Sequence, residues 1–143
     1  MTAREYLKQS FYINKEIDEN ILQLEELDSD ICRCTQIFTD MPPGVHNDNN
    51  AEIKLAAYID KHDELTQKIN EETDKLFETK KEIRLKIYQI KNPKYRLVLM
   101  KWYIRFKKWE QIQEELGYKE LKSVYNVHNK ALSEFIRIHG NIF

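Results

Sequence analysis

The chain has 143 residues, of which 33% are charged and 41% hydrophobic, with only three glycines and three prolines; so few breakers among so many Glu, Lys, Leu and Ile argue for an all-α protein of one ordinary domain or two small ones. The net charge of −1 conceals an asymmetry: residues 1–79 hold 8 Lys+Arg and 18 Asp+Glu, net −10, while residues 80–143 hold 15 and 6, net +9, a footprint of polyanion binding at the C-terminal end. No apolar run could span a bilayer, and the opening residues lack the pattern of a signal peptide, so the expected setting is the cytosol, with no membrane partner.

Thr2-Ala3-Arg4-Glu5 fits a capping box, Thr at the cap and Glu three residues on. An apolar stripe then recurs at alternating steps of four and three: Tyr6, Ser10, Ile13, Ile17, Asn20, Leu24, Leu27, Ile31, Cys34 and Phe38. This heptad-like seam, with no Gly or Pro to interrupt it, predicts one helix over residues 2–40, about 58 Å long. Cys32 and Cys34 point to different faces of such a helix and the four histidines are scattered, so neither an internal disulfide nor a metal site is expected. Pro42-Pro43-Gly44 marks a loop over 41–49, and the Asp/Asn residues after it suit a helix cap.

The second helix is expected over 50–91, with a seam at Leu55, Tyr58, His62, Leu65, Ile69, Glu72, Leu76, Thr79, Ile83, Ile87 and Ile90. His62, Glu72 and Thr79 are read as lying at its margin, the alternative being that they fix register. Two helices of similar length on a short connection form an antiparallel, coiled-coil-like hairpin. Residues 1–91 are therefore read as a stalk. Apolar residues off the seams (Leu7, Phe11, Ile21, Ile59, Phe77, Leu85 and Tyr88) call for a partner, either a second copy, making a homodimer through the hairpin, or the C-terminal domain.

That domain is expected over 92–143. Asn92 is a good N-cap and Pro93 suits the first helical position, so a helix runs from Pro93 to about Phe106. A break at Lys107-Lys108 precedes a short helix from Trp109 to Leu116, which Gly117 ends in a left-handed conformation. The last helix starts near Lys119 or Glu120 and reaches about Ile138. Short helix, glycine turn, helix is the helix-turn-helix pattern, whose second helix reads the major groove of double-stranded DNA. Leu121, Val124, Val127 or His128, Ala131, Leu132 and Phe135 face inward. The expected DNA-binding residues are Lys119, Lys122, Ser123, Tyr125, Asn126, Asn129 and Lys130, because Asn can pair bidentately with adenine and Lys can reach guanine or phosphate. Arg105, Lys107 and Lys108 are placed for phosphate contacts. His128 is read as a packed, hydrogen-bonded side chain. The bland alternative is a small helical bundle with a lysine-rich outside.

The residues Arg96-Leu97-Val98-Leu99, Trp102-Tyr103-Ile104, Trp109-Glu110-Gln111-Ile112, Leu116-Gly117-Tyr118, Val124 and Ala131-Leu132 resemble region 4 of bacterial sigma factors. The string from Trp109 through Leu116-Gly117-Tyr118 and Val124-Tyr125 to His128 and Lys130-Ala131-Leu132 is more closely similar to sigma-like phage transcription regulators of the ArpU/RinA type. The opening Thr2 to Leu7, with Met41-Pro42, also resembles phage proteins of that set. The resemblance implies a phage or prophage regulator of transcription, acting on DNA in the bacterial cytosol, and a contact with RNA polymerase that no residue here carries independently. Lys119 stands where the family has a capping Ser, and one extra residue lengthens the turn before Val124, which leaves the cap of the last helix open.

Two other readings stand beside this one: a DNA-packaging subunit like a small terminase, and a coiled-coil adaptor with a structural C-terminal bundle. An enzyme is not expected, since there is no Gly-rich phosphate loop, nucleophile elbow or metal-spaced cluster, and nothing calls for a cofactor.

Overall fold

The computed structural model describes residues 1–39 and 49–140, and among these all regular structure is helical. The order is α1 (Ala3–Leu7), α2 (Gln9–Thr39), α3 (Asn49–Ile87), α4 (Pro93–Leu99), a π-helical turn (Met100–Ile104), α5 (Trp109–Leu116) and α6 (Leu121–His139). The expected loop over 41–49 and the cap that follows it lie almost wholly outside the described residues. No helix among those described is long and apolar enough to cross a membrane. The chain forms two compact units, Met1–Asn14 with Lys75–Phe143, and Lys15–Asp74; they divide within the two long helices rather than at the proline-marked turn near residue 92.

The first unit is built on a core of Ala3, Tyr6, Leu7, Ile83, Ile87, Ile90, Leu99, Tyr103, Ala131 and Phe135, among others. The capping box starts α1 as expected: the Glu5 amide donates to Thr2 Oγ1 (3.3 Å) and the Thr2 amide to Glu5 Oε2 (2.9 Å). The helix expected to run unbroken from residue 2 is jointed at Lys8, whose amide reaches the carbonyls of Arg4 and Tyr6. The joint falls between Leu7, fully buried in the core, and Ser10, also fully buried. α3 stops at Ile87, short of the expected residue 91, because the Gln89 and Ile90 amides bond three residues back, to Lys86 and Ile87. That tightened turn buries Ile90 with Ile83 and Ile87 before Asn92 starts α4, its side chain accepting from the Lys94 amide at 3.0 Å with Pro93 in the first turn.

The helix expected from Pro93 to Phe106 changes character half-way. From Met100 it widens, the Arg105 amide bonding Met100 O and the Lys107 amide Lys101 O, both at 3.0 Å. A π turn advances less per residue, and here Met100, Tyr103 and Ile104 all turn inward. Ser10 Oγ donates to the Tyr103 carbonyl at 2.9 Å, so one of the two polar members of the first seam satisfies a backbone acceptor in the buried interior. The break then comes at Phe106, in a left-handed conformation (φ 56) rare for a bulky residue. Its ring packs edge-on against Phe11 and lies under the Lys80 ammonium. Phe11 and Leu7, two of the off-seam residues, are thus used inside this unit.

In the second unit the expected seams are the least exposed faces of both helices: Ile17, Asn20, Leu24, Leu27, Ile31 and Cys34 on α2, and Leu55, Tyr58, His62, Leu65, Ile69 and Glu72 on α3. Glu72 and His62 each pair across the two helices, His62 from the half-exposed margin of the seam. Buried Asn20 donates to Glu72 Oε2 at 2.9 Å, and His62 Nε2 meets Asp28 Oδ1 at 2.8 Å. Since 20 meets 72 and 28 meets 62, the helices run antiparallel here. A buried amide that must meet one carboxylate fixes register, because a shift of one turn would strand both groups. Both cysteines are free.

Candidate nucleic-acid interface

The C-terminal helices meet at a turn set by backbone chemistry. α5 ends on Gly117 at φ 73, with the Tyr118 amide bonding Gln113 O and the Gly117 amide Glu114 O. This paired closure satisfies carbonyls the helix leaves open, and the left-handed residue it needs is expected to be glycine. Gln113 Nε2 then donates to Lys119 O at 3.2 Å, holding the turn. α6 begins at Leu121 with Glu120 at its cap and no side-chain capping bond, and Lys119 sits in the turn, before the helix. At the other end of α5 the Lys108 amide donates to Gln111 Oε1 at 3.0 Å.

The inner face of α6 is Val124, His128, Ala131, Leu132, Phe135 and His139, all buried, with Leu121 and Val127 half-buried. Every residue expected to face inward does so. The outer face carries Lys122, Tyr125, Asn126, Asn129 and Lys130, all exposed, while Ser123 is half-buried. From Leu121 to Ser133 the helix has no acidic residue. Four of the expected side chains (Lys122, Asn126, Asn129 and Lys130) therefore share one open, acid-free surface.

Behind this surface lies an aromatic stack. Trp109 lies flat on Trp102, ring centroids 3.9 Å apart, and Tyr125 stands edge-on to Trp109 at 5.3 Å. Tyr125 is thereby held in place while still exposed. His128 also meets the Trp109 edge, and its Nε2 shares a 2.8 Å hydrogen bond with the Tyr103 hydroxyl. Burial away from water pushes the His128 pKa down to about 4, helped by the positive charges of Arg4 and Lys8, and pushes the Tyr103 hydroxyl up to about 12. Both groups are neutral near pH 7, a structural pair rather than an acid–base pair. His139 is likewise committed, its Nε2 donating to Lys86 O at 2.9 Å.

The three cations expected at phosphates are not equivalent. Lys107 and Lys101 both pair with Glu115, whose carboxyl they hold down at about 2. Half-buried Lys107 is thus tied to α5, while Arg105 and Lys108 are exposed. A cleft of about 470 Å³ beside Arg105 is lined by Tyr88, Pro93, Arg96, Leu97, Met100 and Lys101. One contributor was invisible in the sequence: Arg4 Nη2 donates to Asn129 Oδ1 at 3.2 Å, adding a cation to the outer face of α6 from a residue 125 positions away. No periodicity or motif could have joined the two. The unit as a whole, 1–14 with 75–143, holds 18 Lys+Arg and 8 Asp+Glu, net +10.

No family model, curated protein or solved structure matches the chain. Among the described residues no cluster of His, Cys, Asp or Glu could hold a metal ion.

Proposed function

We propose that this protein binds double-stranded DNA and regulates transcription, laying the outer face of α6 in the major groove, as a sigma-like regulator of phage or prophage type. The observation that carries the reading is the exposed, acid-free row of Lys122, Asn126, Asn129 and Lys130 on a helix whose other face is locked into a core. A major groove admits one helix, and Asn and Lys are side chains that read base edges. The net charge of +10 on this unit supplies the sequence-independent attraction to phosphate, with Arg105 and Lys108 beside the α5 start as its nearest contacts. In this reading two copies associate through exposed helical surface and each presents one α6 to a half-site.

The test is selection of bound duplexes from a random library, run with the wild type and with Lys122→Ala/Asn126→Ala. The wild type enriches a motif, and the variant loses roughly 1–3 kcal/mol of discrimination for each good contact removed. An identical motif from both proteins would remove this face from the mechanism. Failure to retain any duplex at low salt would leave the C-terminal bundle a structural element of an adaptor.

A further inference from the structure

In its C-terminal half, α3 presents an exposed face that its own unit does not cover. Phe77, Lys81, Arg84, Leu85 and Tyr88 follow one another at helical spacing, and Phe77, Leu85 and Tyr88 are 66%, 60% and 56% exposed. Their neighbours Ile83 and Ile87, on the opposite side, fill the core. At Tyr88 the face opens into the cleft with Leu97 and Arg96. Large apolar side chains interleaved with arginine and lysine, with Glu78 at the edge of this face and Glu82 paired with Lys86, suit an acidic helix with apolar anchors. They suit a phosphate backbone poorly, which would bury none of the aromatic surface.

A surface of that complementary kind is present on the same chain. Along α2, Asp18, Ile21, Leu22 and Glu25 share the side away from the seam, and all are exposed. The unit that carries them, Lys15–Asp74, holds 5 Lys+Arg and 16 Asp+Glu, net −11. Among the described residues none of Lys81, Arg84, Asp18 and Glu25 has an ion-pair partner within the chain.

We infer that the occupant is a second copy of this chain: the basic, apolar face of α3 around Lys81, Arg84, Leu85 and Tyr88 receives the acidic, apolar face of α2 around Asp18, Ile21, Leu22 and Glu25. Apolar contact supplies affinity and the opposed charges select orientation and partner. This deepens the self-association named in the proposed function, and it is tested without DNA, so its failure leaves the reading of α6 untouched.

The experiment is sedimentation equilibrium of the full chain and two charge-reversed variants, Lys81→Glu/Arg84→Glu and Asp18→Lys/Glu25→Lys, with circular dichroism to verify helix content. The wild type sediments at a mass at least twice that of the 17.3 kDa chain, and association weakens at about 1 M salt, where the screening length falls to about 3 Å. Each variant alone opposes like charges and associates about tenfold more weakly or worse. An equimolar mixture of the two restores association, because each reversed face then meets its complement. Wild type that stays monomeric at micromolar concentration overturns the inference. So does association that survives both reversals, and so does a mixture no better than its components.

Discussion

His128 shows how one side chain couples packing to solution conditions. It is buried beside Trp109 and Tyr103, and its pKa lies near 4 rather than the ordinary value of 6.5. The native state therefore holds it neutral, while the unfolded chain takes up a proton as pH falls below about 6.5. Stability is full above that pH and declines as pH drops towards 4, because there the unfolded state binds more protons. The contribution is on the order of 3 kcal/mol, at about 1.4 kcal/mol per unit. Urea unfolding followed from pH 7 to 4 checks it: His128→Leu loses baseline stability through the orphaned Tyr103 hydroxyl but shows a shallower acid decline. An acid decline as steep as that of the wild type would assign the loss to other groups. Its role as a packed histidine was legible from the spacing of Val124, His128 and Ala131 on one helical face. Its pairing with Tyr103 was not, because the two residues lie 25 positions apart on different helices and no helical repeat relates them.

The connection between α5 and α6 depends on one backbone conformation. Gly117 sits at φ 73, and a methyl group added there meets no atom within 4 Å. Gly117→Ala thus tests conformation alone, free of clashes, and should cost about 1–2 kcal/mol through left-handed strain. Gly117→Asn should cost less, since Asn tolerates that region. Equal midpoints for Ala and glycine in chemical unfolding would mean that the turn relaxes to another shape. This glycine was legible in the sequence from its place at the end of an apolar-periodic stretch. The joint at Lys8 and the widened turn at Met100–Ile104 were not. Both are local departures from a pattern that stays helical in period, and at the widened turn the Tyr103 carbonyl finds a distant donor in Ser10.

Across the whole molecule, the long helices serve two units, and the N-terminal fourteen residues belong with the C-terminal bundle. Leu7 is fully buried in the core that includes Ile83, Leu99 and Phe135. Leu7→Ala should therefore destabilise that unit by about 2–5 kcal/mol, whereas Ile53→Ala, at a position 64% exposed in the other unit, should stay within about 0.5 kcal/mol. Both tryptophans, Trp102 and Trp109, lie in the first unit, so their fluorescence reads its unfolding directly; similar midpoints for the two variants would place Leu7 outside the stabilising core. What the amino-acid order determined by itself was periodic and local. The helical class, both seams, the capping box at Thr2, the Asn92-Pro93 start, the Gly117 stop and the inward face of α6 all follow from spacing or from a single residue's backbone chemistry. What only the tertiary structure decided was long-range: that Leu7 and Phe11 pack within the C-terminal unit, that Asn20 meets Glu72, that Glu115 ties down Lys107, and that Arg4 reaches Asn129. Such contacts join residues that no helical repeat relates, and the chain's path through space alone brings them together.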